Sequence, residues 1–515
     1  MAVAAAPPEP IPASAPAKFD PLAIAHLQKD LNRVSARGGV FTIVAQVSVF
    51  AVQTLTMIFM ARLLTPTDFG LFAMITSVTG FILLFKDVGL SNATIQKSEI
   101  TQPEVSLLFW INGGVSVCMA LATLVLAPLL AWFYHQPRLL PMVMVLSIGF
   151  LVAGFAVQHQ AIITRQMRFR AIAFSDITSI LVSSAVGLSC AALGFSYWSL
   201  VYMQVSYFCA NTTILWCLSG WRPSAPGWHA NARNLLTFGS HITGATVMNY
   251  LARNLDNFLI GRFCGPRLLG FYGRAYQLLM LPVYQICVPF KAVAVPALSR
   301  LAHDPARYRQ MCHNILDNVA RISMPAIVYM IATSDWLVAL ILGPKWTASG
   351  PIFACLGIAT LLQPFSSSVV FIMISQGRTR DVFVSQFCAG VMTITAICSG
   401  LYWGPIGVAA AISIFELFIR TPYLFYMVGR SGPLRTYDMY AACFAGVGGS
   451  IAVLAVVDLI RQYFTFSSPL AGFACTLPPA ILAALAWTLS SSNGRQSLRQ
   501  MRWFVATVRG RPSEK

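Results

Sequence analysis

Apolar residues come along this chain in runs of about twenty, the length that carries a helix across the hydrocarbon layer of a bilayer. Fourteen such runs can be read, at 39–62, 69–86, 106–133, 139–163, 172–194, 197–219, 234–262, 268–298, 319–343, 350–375, 382–402, 405–428, 438–460 and 469–490. The first and seventh carry the most polar residues, and leaving out two weak runs gives twelve. The pattern predicts an all-α polytopic membrane protein.

The charges on the polar links orient it. With the N-terminus inside, the outer links hold only Arg62, Arg138, Arg262, Arg267, Lys345 and Arg461. Five more cations fall within runs: Arg253, Arg274, Lys291, Arg321 and Arg420. The rest of the 35 Lys and Arg fall on the inner links and tails, a bias of about fourfold in the sense of the positive-inside rule. Both termini are therefore expected in the cytoplasm.

Composition agrees with this reading. Hydrophobic residues make up 57% of the 515 and charged residues 10%, and the mean hydropathy is +0.68. A soluble domain carries roughly a quarter charged residues. The net charge of +18 would suggest nucleic acid in a soluble chain, but here it is an orientation signal facing anionic lipid. The Ala/Pro-rich opening "MAVAAAPPEPIPASAPAKFD" lacks the apolar core of a cleavable leader and reads as a disordered tail. "PLAIAHLQKDLNR" after it suits a short interfacial amphipathic helix or a solvated one. The 12 cysteines are scattered through apolar runs with no C-x-x-C pair, as small buried hydrophobes would be; neither disulfides nor a metal site is expected.

One link is written twice. Residues 61–72 read "ARLLTPTDFGLF" and 261–272 read "GRFCGPRLLGFY", so Arg62, Pro66, Gly70 and Phe72 recur as Arg262, Pro266, Gly270 and Tyr272. A second register, 210 residues apart, pairs "RFR" at 168–170 with "RTR" at 378–380, and Gly194 with Gly404. Six runs separate the copies, so the halves share one orientation. The chain is expected to hold a tail at 1–38, an N-lobe at 39–220, a cytoplasmic linker at 221–233 and a C-lobe at 234–428. Two appended helices at 438–490 and a basic tail at 491–515 complete it. Two six-helix lobes related by an axis along the membrane normal are one plan of alternating-access transporters, with the substrate between the lobes.

Charges within spans narrow the search, because they face protein or a wet cavity. The seventh run holds Arg253 and Asp256, three apart on one helix face; they suit a functional site or an internal salt bridge that lets the helix insert. Arg274 and Lys291 lie in the eighth, Arg274 just inside it, at a place that suits either the membrane interface or an outer cavity. Together Arg253, Arg274 and Lys291 would line a cationic cleft for an anionic substrate such as a pyrophosphate. Glu416 and Arg420, four apart, read as a structural pair. Pro282, Pro289 and Pro296 bend the eighth helix, as a hinge or a fixed curve. No phosphate loop, H-E-x-x-H, G-x-S-x-G or Asp-x-Asp motif occurs, and no loop has room for a catalytic domain. Neither enzymatic activity, a cofactor nor a metal is expected.

"ARLLTPTDFGLFAM", "DVGLSNATIQ", "YWSLV", "RNLDNFLIGRFCGPRLLGFYGRAYQL" and "LGPKWTASGPIF" resemble the polysaccharide-transporter branch of the multidrug/oligosaccharidyl-lipid/polysaccharide exporter superfamily, the Wzx-type flippases, over about 38–430. The resemblance implies a central cationic cavity in a bacterial inner membrane. It also implies movement of an undecaprenyl-pyrophosphate-linked oligosaccharide to the outer leaflet by ion-coupled alternating access, for lipopolysaccharide, capsule or exopolysaccharide. A polysaccharide polymerase and other assembly proteins are the expected partners. The family's acidic residue of the seventh span falls on Asp256, a candidate for ion coupling, and its Tyr/Arg stretch on Tyr272 and Arg274. A multidrug or metabolite antiporter of the same superfamily is the alternative, and a membrane polymerase or lipid-sugar transferase a more distant one.

Overall fold

The computed structural model describes residues 31–86, 90–97, 100–225, 232–301, 303–490 and 494–495, and no strand occurs among them. The helices are α1 (Leu31–Leu63), α2 (Pro66–Leu83), α3 (Leu90–Gln96), α4 (Gln102–Phe133), α5 (Leu139–Gly154), α6 (Val157–Arg165), α7 (Phe169–Ala192) and α8 (Trp198–Ser219). There follow α9 (Ala232–Arg300), α10 (Pro305–Ala332), α11 (Ser334–Ile341), α12 (Ser349–Ser375) and α13 (Thr379–Gly400). The chain continues through α14 (Gly404–Phe415), α15 (Thr421–Gly429), α16 (Thr436–Tyr463) and α17 (Pro469–Ser490).

Among the described residues, ten segments are long and apolar enough to cross a membrane. One of them, Thr379–Gly429, turns back at a 3-10 turn over Leu401–Trp403, where Gly404 has a φ of 69°. The 69 residues of α9 are likewise two arms, 232–264 and 266–300, meeting at Gly265, whose φ of 83° and ψ of 174° break the helix. With α8, the traverses correspond to the fourteen apolar runs of the sequence.

The ninth differs from its expected bounds. Its helix begins at Pro305, not at 319, because Asp304 caps the N-terminus by accepting from the Arg307 amide. Its polar first half is held by the Arg309–Asp438 ion pair to α16, so hydropathy misses it. Arg321 accordingly sits well inside the helix. Glu416 and Arg420 do form their pair, within a π-helical turn, and Ser366 donates to the other Glu416 oxygen at 2.8 Å.

We call the side bearing the α1–α2, α4–α5 and α12-leading links the link face, and the other the basic face. Exposed Trp132, Tyr402, Trp403 and Tyr463 ring the link face, as amphipathic aromatics do at a membrane boundary. The first half of the 221–233 linker is tied down: Gln102 donates to the Arg222 carbonyl at 2.8 Å and Trp110 to that of Ser224 at 2.9 Å.

The duplication is written into backbone geometry. Arg168 has φ −80° and ψ 59°, and Arg378 has −85° and 56°. Met167 and Gly377 before them both have positive φ. Each arginine closes the end of the sixth helix of its lobe: Arg168 donates to the Leu218 carbonyl at 3.0 Å and Arg378 to that of Val428 at 3.1 Å. Each also donates to a glutamine two residues before it, Gln166 or Gln376.

Arg378 additionally holds the Met427 and Ser431 carbonyls and Asp381. Arg378→Ala leaves several polar groups unpaired at a half-buried helix end, at a cost on the order of 3 kcal/mol. Thermal unfolding in detergent should show an apparent Tm several degrees below that of Arg168→Ala.

Candidate functional site between the lobes

The two halves of the repeat meet in a seam where α2 packs along α9. Thr65 starts α2 as a capping box with Asp68: the Thr65 amide donates to Asp68 at 2.9 Å and its hydroxyl at 2.6 Å, with Pro66 in the first turn. At the equivalent place the second lobe uses Gly265 instead, followed by Pro266.

These two starts cross. A Cβ on Gly70 would lie 1.7 Å from the Pro266 carbonyl oxygen, and one on Gly270 would lie 1.9 Å from that of Pro66. The repeated glycine of each lobe thus seats the repeated proline of the other, and this reciprocal contact is why the link is written twice. Trp346 locks the crossing: its indole donates to the Ala61 carbonyl at 2.8 Å and packs edge-on against Phe69 and Phe271. Further along α2, the Tyr250 hydroxyl donates to the Thr76 carbonyl at 2.9 Å, against the bare Gly80. Ten residues of helix separate Gly70 from Gly80, so the seam is shut for about 15 Å from the link face.

Of the four charged candidates, Asp256 and Arg274 have described side chains. Asp256, 8% exposed, accepts from the Tyr272 hydroxyl at 2.8 Å and from the Asn257 amide at 2.7 Å. Among the described residues it has no ion pair. Tyr272 is buried and stacks on Tyr276. Arg274 reaches across the lobes, its guanidinium carbon 4.3 Å from the Phe69 ring centroid. A helical side chain leans toward its own N-terminus, which aims Arg274 from α9 up at the crossing.

The side chains of Arg253, Lys291, Pro289 and Pro296 lie outside the described residues; Pro282 is half-buried and α9 stays helical to Arg300. Lys291 follows Arg274 on the same arm by about 25 Å of helix rise, which places the two near opposite ends of the seam. The structure thus brings Asp256 to Tyr272, and Arg274 to Phe69 of the other lobe.

Residues 59–351 match the family model described as polysaccharide biosynthesis protein. The chain belongs to the polysaccharide biosynthesis protein family. Family relatives include the lipopolysaccharide biosynthesis protein WzxC of Escherichia coli (strain K12), 24% identical over 405 residues, covering 77% of this chain and 82% of that protein. The teichuronic acid biosynthesis protein TuaB of Bacillus subtilis (strain 168) is 26% identical over 402 residues, covering 76% and 82%. The fold is that of the lipid II flippase MurJ in its inward closed conformation, with a TM-score of 0.70 at 14% identity over 87% of this chain and 98% of that one.

Asp256, Tyr272 and Arg274 were among the candidates read from the sequence, whereas Phe69, Tyr250 and Trp346, which contact residues across the crossing or beside it, were not. Trp346 stands in "LGPKWTASGPIF", a stretch legible as a motif; nothing in it announces that the indole spans two lobes.

Proposed function

We propose that this chain translocates undecaprenyl-pyrophosphate-linked oligosaccharide repeat units across the bacterial inner membrane by ion-coupled alternating access. The lipid-linked repeat would then serve assembly of lipopolysaccharide, capsule or exopolysaccharide outside, with a polymerase among the downstream partners. In this reading both termini are cytoplasmic, the link face is the outer face, and the lobes are 39–220 and 234–428. The reciprocal Gly70–Pro266 and Gly270–Pro66 crossing carries it. Two like-oriented repeats that touch through equivalent residues at one membrane face form a joint that opens by rocking, and the cation-bearing helix α9 lies along it.

Arg253, Arg274 and Lys291 are assigned to successive contacts with the pyrophosphate as it moves along the seam. Asp256 is assigned to the coupling ion, and the proline-bearing second arm of α9 to the flexing element. The test is translocation of a lipid-linked oligosaccharide by the purified full chain in proteoliposomes. Arg253→Ala, Arg274→Ala and Lys291→Ala should each lower it at least tenfold at normal expression. Unchanged flux in all three would refute the assignment, and efflux of cationic dyes instead would favour the antiporter.

A further inference from the structure

Positive residues on the outer side of a membrane protein work against its orientation, so their placement is informative. Among the described residues six lie on the link face, and two stand apart from the seam: Arg138 on the α4–α5 link and Arg461, which pairs with Asp335. The other four gather at the outer end of the seam.

Arg62 comes from the N-lobe and donates across the joint to the Leu340 carbonyl at 2.7 Å. Lys345 comes from the C-lobe and donates back to the Arg62 carbonyl at 3.3 Å. Arg267 directly follows Pro266 of the crossing and lies 5.9 Å from the ring of Phe271, itself packed on Trp346. Arg262 is the repeat equivalent of Arg62, and lies over Phe133 at 5.5 Å. Arg62, Arg267 and Lys345 are exposed and Arg262 is half-buried.

None of the four pairs with a carboxylate among the described residues. The one acidic residue at the crossing, Asp68, is 5% exposed and already held by Thr65 and Ser196. Four uncompensated cations therefore flank the pseudo-two-fold axis at the mouth of the joint. Their backbones are fixed by the crossing, which spares an incoming anion much of the cost of ordering them. Guanidinium groups present paired donors to phosphate oxygens.

We propose that Arg62, Arg262, Arg267 and Lys345 form an exit rim that takes the pyrophosphate ester of the lipid as it leaves the seam. The inference rests on the flippase reading above for its direction. A polyprenyl pyrophosphate fits better than a phospholipid headgroup, because the cations cluster on the seam and not around the aromatic perimeter where outer-leaflet lipids pack. The rim differs from the Arg274 region in facing the outside while the joint is closed, so it can be loaded from that side alone.

The test uses the full chain in phosphatidylcholine proteoliposomes, with geranylgeranyl pyrophosphate added to the link-face side only. It should inhibit flipping of a lipid-linked oligosaccharide from the other side. The inhibition constant should rise at least tenfold in R62Q/R262Q/R267Q/K345Q, and severalfold in R267Q/K345Q, which alters only two exposed residues and guards against misfolding. Equilibrium binding of geranylgeranyl pyrophosphate and of inorganic pyrophosphate to the same purified proteins reads the rim without transport. A tenfold weakening in the quadruple variant supports the rim even if the wild type flips nothing, in which case the flippase reading alone fails. Unchanged inhibition and unchanged binding overturn the proposal. So does a rim that responds to phosphatidylglycerol content while pyrophosphate inhibition stays at the wild-type level; it would then be a phospholipid anchor.

Discussion

Gly70→Ala is expected to hold the lobes apart at the link face and abolish transport while each lobe stays folded. The added methyl would sit 1.7 Å from the Pro266 carbonyl oxygen, far inside any allowed contact. Both sides of that contact are helical backbone, which cannot swing aside as a side-chain tip can. The least disruptive relief is separation of the lobes, which also removes the Trp346–Ala61 hydrogen bond. Gly270→Ala meets Pro66 at 1.9 Å and should do the same. The double variant should be little worse than either single one, because one opened joint relieves both clashes. Gly80→Ala is the control: its obstacle is the Tyr250 hydroxyl, at 2.1 Å, and a tyrosine ring can move. Spin labels at Thr65→Cys and Leu268→Cys, both exposed, in a background free of native cysteines, should report a distance several ångströms longer in Gly70→Ala. Flipping should fall at least tenfold there, and only severalfold in Gly80→Ala. Wild-type distances with normal flux would mean that the crossing is not the moving contact.

Whether such a joint could be foreseen depends on what a linear pattern records. Hydropathy records lipid exposure, so the traverses whose outer surfaces meet lipid were legible nearly to their ends. The first half of α10 was not, since its Arg309, His313 and Asp317 face protein, through Asp438 and their own helix. The repeat was legible because tight turns and helix ends demand particular residues. Positive φ at Gly194 and Gly404 and the carbonyl-capping Arg168 and Arg378 leave a mark at fixed spacing. The Gly70–Gly270 pair was visible as a repetition, but its cause, that each copy is the other's partner, exists only once the halves meet. The same holds for Arg274. Sequence placed it in a wet gap, and the structure seats it on Phe69, a contact across two hundred residues that no local spacing encodes.

Asp256→Asn should uncouple the protein: gradient-driven flux falls at least tenfold while substrate binding remains. The carboxylate is buried between two donors of α9 itself, the Tyr272 hydroxyl and the Asn257 amide, and among the described residues no cation neutralises it. A lone carboxylate at such a depth is costly when charged, and two neutral donors offset only part of that. Under the proposed function, a proton or metal cation entering the joint would neutralise it, and a rearrangement that alters its contact with Tyr272 would alter its affinity for that ion. This is the reciprocity that coupling requires. Asparagine keeps the shape and one acceptor, and the Tyr272 hydroxyl can turn to accept from the new amide, so packing survives while titration and charge are lost. Tyr272→Phe makes the opposite change, removing one hydrogen bond but keeping the carboxylate, and should lower flux only severalfold. Flux into proteoliposomes with an imposed proton gradient, an imposed sodium gradient or neither separates the cases. If Asp256→Asn keeps its full gradient response, the residue only fastens the two arms of α9. If Tyr272→Phe is as inactive as Asp256→Asn, the hydrogen bond and not the charge is what the seam requires.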